Sequence, residues 1–242
     1  MNWRIHHRPI TESTNLDART GVPGDVFTAD EQTAGRGRLD HKWLSAPGEN
    51  LMCSIVLDVA GLDPAAVSTL PLVVGLAVLQ SLSSLSPFAF HPSPFTLKWP
   101  NDVLIDGRKV AGILCERHGD CVIAGVGINV NQRVFAPEIA DRATSLALAR
   151  KDAGARIEIA CVLRGLRGGL ERFYDVWRSE GFAALWPCFA AVDHLKGRMV
   201  RVYAVDGDAE PIAGLCGGIR SDGTLDVGGI SVFAGEAHVA SD

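Results

Sequence analysis

The stretch Cys121–Asn131 constrains the fold more than any other part of this 242-residue chain. Its residues alternate in character, and in an extended strand alternate side chains leave on opposite faces. Val122, Ala124, Val126, Ile128 and Val130 give one face an unbroken apolar surface. The other face carries Gly125 and Gly127, then Asn129 and Asn131. Glycine weakens a strand and offers a sheet nothing to pack with. Such a face marks either a bulge or bend, or a place where a flat ligand lies on the backbone with Asn129 supplying donors and acceptors.

A second segment answers it. Gly35-Arg36-Gly37-Arg38-Leu39-Asp40-His41-Lys42-Trp43 concentrates Arg36, Arg38 and Lys42 in a chain whose net charge is −5. Glycines permit close approach to the main chain, and arginine presents a fixed fork of donors to phosphate or carboxylate. The segment reads either as a solvated basic loop or as a loop that closes over an anionic ligand. The overall negative charge gives no reason to expect nucleic-acid binding, so the cations act locally.

Around these segments the pattern mixes strands and helices. Val26–Ala29, Leu51–Leu57, Phe95–Trp99, Val103–Ile105 and Lys109–Glu116 read as strands, with a tight turn at Asp106-Gly107. Val67–Leu85 reads as one buried helix with Pro71 tolerable only in its first turn, followed by a loop over Ser83–Pro94. Ile157–Arg178 reads as an amphipathic helix weakened by Gly165, Gly168 and Gly169, and Phe182–Val192 as a further helical piece. From about Leu195, short apolar runs at Met199–Val205, Ile212–Cys216 and Ile230–Phe233 alternate with turns at Asp206-Gly207, Asp222-Gly223 and Gly228-Gly229. The expected organisation is a larger domain over 1–194 and a small all-β module over 195–242.

A hydrophobic fraction of 47% with 21% charged residues suits a protein that buries a real core. The six cysteines are scattered, without metal-site or disulfide-framework spacing, so reduced thiols are expected. The N-terminus has no apolar signal core, and no uninterrupted apolar run reaches the length of a membrane span. The expectation is a cytoplasmic protein.

Three further places hold polar groups that could do chemistry. Lys109 shares a strand face with Ala111, Ile113 and Cys115, with Gly112 on the opposite side. It either snorkels to solvent or holds its ammonium at the rim of an apolar pocket, as a point charge for carboxylate or phosphate. In Lys98-Trp99-Pro100-Asn101-Asp102, Pro100 holds the following polar groups in place. Asp102 is then either a general base or a turn-capping carboxylate. Glu12-Ser13-Thr14-Asn15 looks like a helix start, with Ser13 or Thr14 as N-cap and free to bind polar ligand atoms as well. A P-loop, a complete dinucleotide-binding glycine turn, a G-x-S-x-G elbow and an H-E-x-x-H pair are all absent from the sequence.

Taken in order, these segments resemble those of the biotin–protein ligases. The matching pieces are Glu12-Ser13-Thr14-Asn15, Gln32-Thr33-Ala34-Gly35-Arg36-Gly37-Arg38, Lys98-Trp99-Pro100-Asn101-Asp102, Gly107–Leu114 and Gly125–Asn131. The resemblance covers nearly the whole chain. It implies an α+β fold: a mixed β-sheet packed with helices, like the class II synthetases and the biotin–lipoate ligases, plus a small C-terminal SH3-like β-barrel. It also implies a reaction in which biotin and Mg-ATP form biotinyl-5′-adenylate, which a lysine of a carboxylase carrier domain then attacks. ATP and biotin enter as substrates, Mg²⁺ comes with ATP, and no protein-built metal site is implied.

By the same resemblance, Ser13, Thr14, Asn15 and Gln32 bind the biotin head group. Gly35, Arg36, Gly37 and Gly112 border its pocket. Arg38 folds over the adenylate, and Lys109 bridges the biotin carboxylate and the α-phosphate. Lys98, Asn101, Asn129 and Arg36 lie on the nucleotide side, with Trp43 near the adenine, and Asp102 orients or deprotonates the acceptor lysine. The chain departs from the family pattern at Leu39-Asp40-His41, where Asp40 lowers the loop's charge. It departs again after Asn15, where the helix has little room before Gly21. With only eleven residues before Glu12, the resemblance is to the monofunctional type without a DNA-binding segment. No nucleic acid and no membrane is expected as partner, and a homodimer is allowed. The competing readings are a ligase for lipoate or another carboxylic acid, and a non-catalytic biotin or nucleotide binder.

Overall fold

The computed structural model describes residues 2–39, 41–85, 95–150, 155–204 and 210–240. The expected turn at Asp206-Gly207, the end of the strand expected to reach Val205, and residues 86–94 of the expected loop lie outside them. The larger sheet is built from β1 (Arg4–Thr11), β2 (Asp25–Gln32), β3 (Leu51–Asp58), β4 (Phe95–Lys98), β5 (Asp102–Ile105), β6 (Arg108–His118) and β7 (Cys121–Ile128). Their spatial order is β1-β2-β3-β7-β6-β5-β4. Only β1 and β2 are parallel; the other neighbours are antiparallel. The turn between β5 and β6 is the one the sequence signals, with Asp106 at φ 50° and Gly107 at φ 78°.

The crossover from β1 to β2 leaves room only for the single turn α1 (Thr14–Asp17) and a 3-10 turn at Ala18–Thr20. β1 itself is an edge strand exposed along most of its length, so its sequence shows no alternation. Its pairing is reinforced by Asp25, a buried carboxylate that accepts hydrogen bonds from Arg4 Nε at 2.7 Å and the Val22 N–H at 2.8 Å, with His6 Nε2 at 3.1 Å. Burial alone would raise the Asp25 pKa. The Val22, His6 and Arg4 contacts outweigh it and push the group from 3.8 down to about 2. A carboxylate depressed in the folded state contributes fully above its unfolded value and loses that contribution as pH falls through the folded one. The Tm is therefore expected to fall between about pH 4 and pH 2, and Asp25→Asn to flatten that fall while lowering the Tm at neutral pH; thermal unfolding across pH checks both.

The helices cover one face of this sheet. The apolar run expected as one helix is two, α2 (Pro64–Val67) and α3 (Leu70–Ser83). Asp63 caps α2 by accepting from the Ala65 N–H, and the chain restarts at Thr69, which puts Pro71 in the first turn of α3. Pro64–Ser83 has the length and, at 1.9, the mean hydropathy of a membrane span, although Ser68, Thr69 and Gln80 interrupt its apolar run. The α3 part of this segment is a core helix, buried under α5 (Ile159–Glu180) and against β4–β6. α4 (Leu146–Ala149) is a single turn, and α6 (Phe182–Ala190) closes one end of the core.

The glycines that were expected to weaken α5 bring it close to α3. A Cβ on Gly169 would lie 2.7 Å from the Ala77 carbonyl oxygen and 2.9 Å from its Cα, and one on Gly165 2.5 Å from Ser81 Oγ. Backbone cannot yield as a side-chain tip can. Gly169→Ala is expected to cost about 1–3 kcal/mol by forcing the helices apart. Gly168, whose Cβ would meet nothing, should gain roughly 0.5–1 kcal/mol as Ala. Denaturant unfolding of the two variants separates these opposite signs.

The second sheet contains β8 (Met199–Tyr203), β9 (Ile212–Ile219), β10 (Leu225–Val227), β11 (Ile230–Val232) and β12 (Glu236–Val239), in the order β11-β10-β9-β8-β12, all antiparallel. β10 and β12 are too short to announce themselves by periodicity. The sheet shares one apolar core with the rest of the chain, since Val200, Val202, Cys216 and Leu225 pack in the same cluster as Val73, Leu97 and Trp99. Trp99 Nε1 also donates to the Gly223 carbonyl at 3.2 Å.

Candidate active site

Strand register sets residues in rows across the larger sheet. Lys98, Asp102, Gly112, Gly127 and Met52 are successive partners on β4, β5, β6, β7 and β3. One step along, Leu114, Gly125 and Ser54 form the next row. Leu97 and Ile113 pack toward Gly75 of α3, so the rows with Lys98 and Gly112 face away from the helices.

The glycines leave space there for a planar group, and the chain fills part of it. A Cβ on Gly127 would stand 2.4 Å from Trp43 Cε2, and one on Gly112 3.2 Å from Trp43 Cζ3. A Cβ on Gly125 would stand 2.2 Å from Asn15 Oδ1. The indole of Trp43 thus lies on the sheet where a flat ligand was expected. Its Nε1 is shut away from solvent with no acceptor among the described residues. A buried N–H without a partner is costly, and it marks a place a ligand acceptor would satisfy.

The amide half of the expected face is different. β7 ends at Ile128, although the Asn129 N–H still donates to the Val110 carbonyl of β6 at 2.8 Å. Asn129 is buried, donating to the Thr144 carbonyl at 3.0 Å, and Asn131 exchanges two hydrogen bonds with the main chain of Ile157. Asn129 therefore holds the segment before α4 and lies outside the cleft lining, a correction to its expected place on the ligand face.

The basic segment forms a narrow hairpin over this surface. The Trp43 N–H donates to Gly35 O at 2.9 Å, Gly37 N–H to His41 O at 2.6 Å, and His41 N–H to Arg38 O at 3.0 Å. Leu39, at φ 51°, occupies the tip, while Asp40 and its expected effect on charge lie outside the described residues. Gly35 is required where it stands, because a Cβ would meet the Trp43 carbonyl at 2.6 Å; it lines the outer side of the hairpin and not the cleft. Arg38, just before the turn, reaches inward to the Gly235 carbonyl at 3.3 Å and approaches Asn101 Oδ1 at 3.5 Å. Asn101 is itself held by donating to the Ile113 carbonyl at 2.8 Å.

Between hairpin and sheet lies a cleft that is open to solvent. One end is neutral and polar. Gln32 Oε1 accepts from the Thr14 N–H at 2.8 Å and lies 3.1 Å from the Thr14 hydroxyl oxygen, and Ser13 and Asn15 line the same end. Ser13 occupies the N-cap position of α1 as expected, but its hydroxyl makes no capping hydrogen bond.

The other end is cationic. Lys109 Nζ lies 2.6 Å from Asp102 Oδ1 and 5.9 Å from the Trp43 ring centroid. The expected strand parity put Lys109 opposite Gly112. A register shift between Val103 and Leu104 reverses that, pairing Leu104 with Lys109 and Val103 with Ala111, and Lys109 lands on the glycine face. Asp102 opens β5 and faces Lys109 instead of capping a turn. Lys98 lies alongside, its pKa pushed down by burial against the pull of Asp102. Burial likewise lowers Arg38, opposed by Asp102 and Glu236.

Sequence reasoning missed Glu236 and Ala237 of β12, which close the cleft from the second sheet. A four-residue strand far along the chain carries no local signal of its destination. Ser54, buried behind the neutral end, did leave a trace as a lone hydroxyl inside the apolar strand Leu51–Leu57.

A model of the biotin/lipoate A/B protein ligase family matches residues 10–132. The biotin–[acetyl-CoA-carboxylase] ligase of Mycobacterium tuberculosis is 37% identical over 239 residues, covering 95% of this chain and 85% of that protein. The bifunctional ligase/repressor BirA of Bacillus spizizenii is 34% identical over 205 residues, 78% of this chain; the match spans 60% of that longer protein. Among solved structures, the biotin protein ligase from Aquifex aeolicus in complex with biotin and ATP superposes with a TM-score of 0.85 at 29% identity, covering 98% of this chain and 99% of that one. Its fold is that of the biotin protein ligases, and the chain belongs to the biotin/lipoate A/B protein ligase family.

Proposed function

We propose that the protein is a biotin–protein ligase, which activates biotin with ATP to biotinyl-5′-adenylate and transfers the biotinyl group to a lysine of a biotin carboxyl carrier domain. The observation that carries this reading is a single cleft with a neutral hydrogen-bonding end, a cationic end and a basic hairpin across the top. A cyclic urea has two N–H donors and one carbonyl acceptor, which suits the hydroxyls and amides of Ser13, Thr14, Asn15 and Gln32. A lipoyl dithiolane offers no hydrogen-bonding group to them, so the lipoate reading is not favoured.

In the first step the biotin carboxylate attacks the α-phosphorus and pyrophosphate leaves. Two anions must be held in contact while charge builds on the phosphoryl oxygens. Lys109 and Lys98 supply point charges there, and Arg38, with Arg36 and Gly37 on the same hairpin, covers the product. Mg²⁺ would arrive with the triphosphate and neutralise charge on its oxygens; Asp102 and Glu236 are the carboxylates of the cleft lining that could hold it, within the one or two that Mg²⁺ usually takes beside substrate phosphates. In the second step the carrier amine attacks the acyl carbon and AMP leaves. Asp102 would draw a proton from that amine once Lys109 has turned to the phosphate.

Pyrophosphate release from ATP is expected to depend on biotin, and a carrier domain to gain the biotinyl mass. Lipoate competing out biotin, or biotin binding without ATP turnover, would replace this reading.

A further inference from the structure

Behind the neutral end of the cleft stand two polar side chains that do not line it, Glu116 and Ser54. Glu116, near the end of β6, has one carboxylate oxygen 2.6 Å from Asn15 Nδ2 and the other 3.2 Å from Arg36 Nη1 of the hairpin. Ser54 Oγ, fully buried on β3, lies 2.6 Å from Asn15 Oδ1 and 2.7 Å from Thr14 Oγ1. Thr14 and Asn15 face the cleft.

The direction of each proton follows from the chemistry of the groups. An ionised carboxylate only accepts, so Glu116 fixes the Asn15 amide with its NH₂ toward Glu116 and its oxygen toward Ser54. That oxygen has no proton to give, so it takes the single proton of Ser54. With the Ser54 proton committed to Asn15, the 2.7 Å contact to Thr14 needs the Thr14 hydroxyl proton, which turns to it in preference to Gln32 Oε1 at 3.1 Å, while Gln32 Oε1 keeps the Thr14 N–H. The Thr14 oxygen is left with lone pairs toward the cleft. An acceptor there is the polarity a ring N–H of a cyclic urea requires.

We infer that Glu116 and Ser54 are positioning residues for the head group: Glu116 sets the donor–acceptor polarity of the line Asn15–Ser54–Thr14, and by holding Arg36 it ties that polarity to the seating of the hairpin. This rests on the biotin reading above. A neutral glutamine at 116 cannot serve both neighbours. It offers one oxygen to Asn15 or to Arg36 and an NH₂ to the other, so either the hairpin loses its anchor or the amide of Asn15 turns over and the line reverses.

Calorimetry with biotin alone and with ATP alone, on the wild type, Glu116→Gln, Ser54→Ala and the double variant, tests this. Each single variant is expected to weaken biotin binding by roughly tenfold or more; Ser54→Ala, which touches no hairpin residue, should leave ATP affinity within about twofold, and Glu116→Gln should lower it less than it lowers biotin affinity. Since the groups act in series, the double variant should bind biotin no worse than Ser54→Ala. A general structural role would move ATP and biotin together and make the two effects multiply. Thermal unfolding identifies any variant that fails to fold, and the other then probes the same line from its opposite end. Wild-type affinity for biotin in the folded variants, equal losses for both ligands, or multiplying effects overturn the inference. A wild type that does not bind biotin overturns the functional reading itself.

Discussion

Lys109→Ala is expected to slow adenylate formation by about 10²–10³-fold, the size of loss seen when one well-placed donor to a developing oxyanion is removed. The argument turns on what the substitution leaves behind. Lys109 Nζ sits 2.6 Å from Asp102, so its loss removes a cation and also leaves that carboxylate without its nearest partner, with Lys98 and Arg38 to offset it, in a cleft where two anionic substrates must meet. Removing that carboxylate as well should therefore recover part of the first step: Lys109→Ala with Asp102→Ala is expected to form adenylate faster than Lys109→Ala alone. Transfer to the carrier should still suffer in the double variant if Asp102 takes the amine proton. Biotin-dependent pyrophosphate exchange reads the first step, and single-turnover transfer from preformed adenylate reads the second. Unchanged exchange in Lys109→Ala would remove this residue from the reaction, and a double variant no better than the single would remove the charge-balance argument.

The sequence was most readable where a local signal has a local cause. The Asp106-Gly107 turn, the apolar face of β7 and the glycines beneath something flat all follow from properties of adjacent residues. It was least readable where a distant element decides. Lys109 reaches the glycine face because β5 and β6 slip register by one residue, which strand alternation from sequence cannot foresee. The glycines of α5 look like weak points until α3 is set against them, when Gly169 becomes the place where two backbones nearly touch. β1 is ordered by pairing and by Asp25 and not by an apolar face, and β12 brings Glu236 to the cleft from the far end of the chain. Asn129 follows the same rule: strand alternation predicts its side chain on the ligand face, but β7 stops at Ile128 and Asn129 Nδ2 donates to the Thr144 carbonyl.

Gly127→Ala should lower kcat/KM for biotin by about 10²-fold, as expected when a group is displaced by about an ångström from its working position. A single Cβ at 127 would stand 2.4–2.5 Å from two atoms of the Trp43 indole, closer than atoms in contact can be. The sheet cannot retreat, since β7 is paired on both sides with β3 and β6. The indole must therefore move, and it stands at the base of the hairpin, where the Trp43 N–H is bonded to Gly35 O. Arg36 and Arg38 lie between those two anchor points in sequence, so lifting Trp43 tilts both arginines off the cleft. Because the whole effect passes through one ring, it should vanish without that ring. In a Trp43→Ala background, which will have its own cost, adding Gly127→Ala is expected to change kcat/KM little. If the glycine instead served the strand itself, the two substitutions would multiply, so the double-mutant cycle separates a glycine kept for the hairpin from one kept for the sheet.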